Sequence, residues 1–83
     1  MKTFFLETTL FEGGMNRHFA KECSAVEIPR AGDCIQTAGL PAVPVVRLVI
    51  FTDETPPLAT IILGKSAEEL LEAGFKEITV TNS

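Results

Sequence analysis

Only one stretch of this 83-residue chain reads as helix, and its brevity constrains everything else. Ser66 and Glu69 stand three apart ahead of an apolar pair, the spacing of a capping box in which each side chain takes the other's backbone N–H. Acidic residues follow at Glu68, Glu69 and Glu72, and those in the early turn suit the positive end of a helix. Gly74 supplies a left-handed terminator that sets Phe75 back onto Leu70. The predicted helix, Ser66 to Ala73, is about two turns or roughly 12 Å long. It offers Ala67, Leu70, Leu71 and Phe75 to a sheet, and it is too short to cover both sides of one.

The strand signals are more extensive. "TFFLETTLF", Thr3 to Phe11, is rich in Thr and Phe, with Phe4, Leu6, Thr8 and Leu10 on one side and Phe5, Glu7, Thr9 and Phe11 on the other. "EGGMN" then has the chemistry of a hairpin loop. From Arg17 to Ile28 the alternation is weaker, and adjacent Lys21 and Glu22 predict a bulge near Lys21 if Phe19, Val26 and Ile28 are all to point inward. "VVRLVIF" and "LATIIL" are β-branched, apolar and bounded by turn residues, and the acidic link "TDETPP" predicts that they pair as a hairpin. "KEITVTN", with Ile78 and Val80 inward, predicts a last strand at an edge.

Between the second and third of these strands lies "VEIPRAGDCI". Pro29 removes a ladder donor, Gly32 allows a left-handed turn, and Asp33 can cap nearby amides. Each residue has a backbone reason to be there, so the stretch reads as a corner rather than a ligand site, with Arg30 and Asp33 paired in solvent. "QTAGLPAVP" after it is a loop.

These elements predict a single α+β domain over 1–83: a small antiparallel sheet of four to five strands with one short helix near the C-terminus. The apolar surface left over admits two outcomes. The sheet curls into a partial barrel in which Phe4, Leu6, Val46, Leu48, Ile50, Ile61 and Leu63 meet, or one face is finished by another chain. Arg47 among Val45, Val49 and Phe51 makes the second face mixed, as partner surfaces are, and favours contact with another protein or with a second copy.

Composition excludes several classes of function. Eleven acidic against seven basic residues give a net charge of −4 with no basic cluster to follow a phosphate backbone, so nucleic acid is not an expected partner. The longest uncharged stretch, Cys34 to Val46, is thirteen residues with two prolines, too short and broken to span a membrane. Glu7 interrupts the N-terminal apolar run and no small-residue cleavage pattern follows, so a soluble, cytoplasmic protein is expected. Cys23 and Cys34 match neither a redox pair nor a zinc knuckle and read as reduced thiols.

Chemistry finds little purchase. A Cys-His hydrolase would pair His18, the sole histidine, with Cys23 or Cys34, but His18 and Cys23 are five apart and point to opposite faces of a regular strand unless a bulge realigns them. His18, Cys23, Cys34 and Glu22 lack the paired spacing of a zinc site, "EGGMN" lacks the lysine and helix of a phosphate cradle, and Asp53-Glu54 lacks the further ligands of a calcium loop. No metal and no cofactor are expected.

"AVEIPRAGDCI" ahead of "VVRLVIF" resembles a pattern in short acidic β-rich accessory proteins of phages and mobile elements, where an "IP-R-x-GD-x-I" corner precedes a strand. The resemblance covers residues 26 to 51 and carries over no catalytic residue. It implies a protein that acts by occupying a surface of host machinery, an anti-CRISPR protein being one example. The expected function is therefore a non-enzymatic binding module, with Phe5, Phe11 and Phe51 as buried anchors, Arg47 in the mixed face, and Asp53 and Glu54 facing a basic partner surface. A homo-oligomeric scaffold is the alternative, and a thiol enzyme the remote one.

Overall fold

The computed structural model describes residues 1–36, 40–52 and 54–78. Strands β1 (Lys2–Glu12) and β2 (Met15–Ala25) form its longest unit, an antiparallel hairpin turning at Gly13 and Gly14. Both glycines have positive φ, 62° and 78°, as a two-residue turn matching the twist of its strands requires. Pairing then runs unbroken from Glu12 opposite Met15 to Lys2 opposite Ala25. The bulge expected near Lys21 is absent. Lys21 sits opposite Leu6 on the covered side, and its ammonium donates to the Ala73 carbonyl at 2.8 Å, so alternation has no need to slip.

The remaining elements are β3 (Cys34–Ile35), β4 (Val43–Val49), β5 (Leu58–Ile61), α1 (Ala67–Glu72) and β6 (Lys76–Ile78), and the sheet order is β3-β4-β5-β1-β2-β6. Three expectations are corrected. Among the described residues there are six strands rather than four or five, because the corner's far side adds the short β3, while β6 is the last strand that the sequence predicted at an edge. The sheet is open rather than barrel-like, with β3 and β6 at its two edges. It is also mixed rather than antiparallel: β4 and β5 do pair as a hairpin, but β5 lies parallel to β1, with Phe5, Leu6 and Glu7 opposite Leu58, Ala59 and Thr60. The chain leaves β2 through the corner and rejoins the sheet beyond β1, so β5 returns alongside β1 in the same direction. Val80 of the expected last strand lies outside the described residues.

One face carries the core. Phe4, Leu6, Phe19, Val45, Ala59 and Ile61 are buried against Leu70 and Phe75 of the α1 segment, and Leu40 and Leu63 complete the cluster. The helix begins with the expected capping box and ends with Gly74 at φ 96°. Gly74 N–H bonds to the Leu71 carbonyl and Phe75 N–H to that of Leu70, at 3.1 and 3.0 Å, the paired closure that brings Phe75 back onto Leu70. Leu71, expected to cover the sheet, is instead 53% exposed.

Strand β4 also departs from simple alternation. An irregularity between Val45 and Arg47 turns Val45 inward and Val46 outward, reversing the sides assigned to those two residues, while Ile50, expected inside, is exposed just past the end of β4. The corner is a corner: Asp33 N–H donates to the Arg30 carbonyl, the Asp33 carboxylate accepts the Arg30 backbone N–H at 2.9 Å, and Gly32 and Asp33 exchange backbone bonds with Val45. The Asp33 carboxylate thus serves the backbone, not the Arg30 guanidinium that the sequence suggested.

Candidate functional site

The opposite face of the sheet has no covering layer among the described residues. The molecule measures only 20 Å along its shortest axis, room for one sheet and one layer over it at the usual spacing of about 10 Å. Strand alternation and the register place the side chains of this bare face in rows across the strands. Phe5, Leu58 and Val49 form one row across β1, β5 and β4, extended to Glu22 on β2. Arg47, Thr60, Glu7, Ala20 and Lys76 form the next, and Thr9, His18 and Ile78 a third.

Phe5, Leu58 and Val49 are half-buried by one another, yet none belongs to the core cluster or packs against it. Beside them, His18 Nδ1 lies 3.5 Å from a Glu7 carboxylate oxygen and 3.2 Å from the Thr9 hydroxyl. Only 12% of the Glu7 side chain is exposed, so its charge is held under neighbouring side chains. Thr60 Oγ1, in the same row, is buried without a hydrogen-bond partner among the described residues. Arg47 is exposed and forms no ion pair among the described residues.

The fold gathers some of the expected contact residues and scatters others. Phe5 and Arg47 share the bare face, and alternation puts Phe11, 71% exposed near the hairpin tip, on the same side. Phe51 is exposed beyond the end of β4, and Glu54 lies in the β4–β5 connection. Asp53 lies outside the described residues. Glu54 lines a depression of about 550 Å³ with Lys2, Glu27, Arg30, Ile50 and Pro56, where opposite charges are mixed at the surface.

The residues proposed for thiol chemistry stay apart. His18 is on the bare face, whereas Cys23 packs against the core opposite Phe4, and burial pushes its thiol up from the usual range. Cys34 is exposed on β3. Among the described residues no group of three potential metal ligands comes together. On the helix-covered side, Arg17 forms a two-pronged ion pair with Glu77, both contacts 2.8 Å, and a third contact to Glu12 at 3.0 Å. Its hydrogen bonds hold the Glu77 carboxyl below the ordinary value and raise the guanidinium further.

The sequence reading put Val49 beside Arg47 on a mixed face and Glu7 on the same side as Phe5, but it missed Leu58 and His18 and the joining of all of these into one surface. A signal for part of it existed, since a two-residue turn at Gly13 and Gly14 forces Thr9 opposite His18. The parallel pairing of β5 with β1 had none. In comparisons with protein-family models, curated proteins and solved structures, nothing matches this chain.

Proposed function

We propose that this chain is a non-enzymatic protein-binding module whose contact surface is the bare face of the sheet. The observation that carries the reading is the in-register apolar row Phe5, Leu58 and Val49 lying outside the core, with the charged Arg47 and Glu7 in the next row. Few residues supply most of the energy of a protein contact, and a row of three apolar side chains with satisfiable charges beside it has the make-up of such a centre. The separation of His18 from Cys23 onto opposite faces supports a binding rather than a thiol-dependent role.

Two forms of this function follow. In one, the chain is a phage or mobile-element accessory protein that inhibits host machinery by occupying it, as an anti-CRISPR protein does; the net charge of −4 suits a target with a basic surface. In the other, the chain binds itself. The arrangement of charge on the bare face favours self-association, which leaves exposed Phe51, Glu54 and the acidic outer side of α1 free for a second, basic partner.

Capture from the native host with tagged wild-type protein and a Val49→Asp variant tests the reading, provided that the untagged chain itself is scored along with other proteins. Partners held by the bare face, the chain itself included, are expected to be lost from the variant. An identical set from both proteins would overturn the reading.

A further inference from the structure

We infer that the bare face binds a second copy of this chain about a twofold axis running along β5, an inference that rests on the reading of that face as a contact surface. Phe5 and Val49 flank Leu58 on its two sides, and Glu7 and Arg47 flank Thr60 in the same way. A twofold axis in the plane of the face and parallel to β5 exchanges the flanks. Val49 of one copy then lies over Phe5 of the second copy, Leu58 over its counterpart, and Arg47 over Glu7 of the second copy. Each contact between flanks is made twice, and the surface is complementary to itself, as an isologous interface requires.

Three alternative axes fail on charge. An axis along β1 sets Glu7 on Glu7 and Arg47 on Lys76, and an axis along β2 sets Glu22 on Glu22 while Leu58 and Val49 overhang the sheet. An axis across the strands through the Glu7 row sets Arg47, Glu7 and Lys76 each on its own copy. Only β5 pairs apolar with apolar and acid with base, and like charges placed opposite each other are a strong bar to the alternatives.

The geometry is that of two aligned sheets stacked about 10 Å apart with strand directions within about 30°. It also accounts for Ile62, which is 72% exposed immediately past β5 and continues that strand's alternation onto the axis. Five strands about 4.8 Å apart and three rows about 7 Å apart outline a face of roughly 24 by 20 Å, a small interface. A dimer dissociating in the micromolar range is therefore expected.

Sedimentation equilibrium on the full chain from about 1 to 300 μM tests this. Wild type is expected to show a monomer–dimer equilibrium. Arg47→Glu alone and Glu7→Lys alone are each expected to weaken it at least tenfold, because each places two like-charged pairs across the axis. An equimolar mixture of the R47E and E7K chains is expected to dimerise again, since both cross contacts then join opposite charges. Circular dichroism verifies that each variant is folded, and Val49→Asp, which leaves the Glu7–His18 contact alone, gives a second disruption should E7K fail to fold. A wild-type monomer throughout the range overturns the dimer but leaves the contact-surface reading standing if Val49→Asp still strips a partner in the capture experiment. A dimer indifferent to R47E and to Val49→Asp places self-association elsewhere and overturns it too.

Discussion

Lys21 Nζ and the Ala73 carbonyl oxygen are joined by a 2.8 Å hydrogen bond across 52 positions of sequence. The lysine stem crosses the covered face of β2 and delivers its charge to the C-terminal end of α1, where unsatisfied carbonyls favour a cation. The bond fastens a six-residue helix, too short to persist alone, to the sheet it covers.

Replacing Lys21 by Met keeps the stem and removes the donor. The expected cost is about 1–2 kcal/mol, read as a fall of several degrees in the thermal midpoint. An unchanged midpoint would show that the bond contributes nothing to holding α1.

Thr8 is fully buried on the core face, and its hydroxyl has no partner among the described residues. Thr8→Val retains the shape and suits a strand, so it is expected to stabilise the protein by about 1 kcal/mol, raising the midpoint by about 4–8 °C. Denaturant or thermal unfolding measures this, and a loss of stability would mean that the hydroxyl finds a partner in solution.

Acid should weaken the fold through two exposed carboxylates. The hydrogen bonds from Arg17 lower the Glu77 pKa, and those from the Ser66 backbone and side chain lower that of Glu69, both from an ordinary 4.5. Because each folded-state value lies below the unfolded one, the stabilisation is present above about pH 4.5 and is lost as pH falls through the depressed values. Arg17 stays charged across that window. Glu77→Gln is expected to reduce the pH dependence of stability between about pH 5 and 3 without altering its sign, and a slope equal to the wild type's would exclude the Arg17 pair as a contributor.

What was legible in the sequence was local. The Gly13-Gly14 turn, the Ser66/Glu69 cap, the Gly74 terminator with Phe75 on Leu70, and the Arg30–Asp33 corner all depend on residues within a few positions of one another. What was not legible depended on partners far along the chain. Lys21 looked like a reason for a bulge because the Ala73 carbonyl that satisfies it is supplied by the fold. The placement of β5 beside β1 is likewise a consequence of topology, and it alone brings Leu58 between Phe5 and Val49. Phe5 and Arg47 could therefore be singled out individually as candidates for contact, while the surface they share with Glu7 and His18 could not. Val45 and Val46 were placed on the wrong sides because a one-residue irregularity leaves no clear mark in a run of apolar residues.

The central claim is that the row Phe5, Leu58 and Val49 meets another chain. Within one molecule the Phe5 and Val49 backbones are separated by the intervening strand β5, about 10 Å across the sheet, and isotope filtering distinguishes any contact within a chain from one between chains. In a sample mixing isotope-labelled and unlabelled chains, the account predicts intermolecular contacts between the Val49 methyl groups and the Phe5 ring. Intermolecular contacts confined to other surfaces, such as Leu71 or Phe51, or none at millimolar concentration, would contradict it.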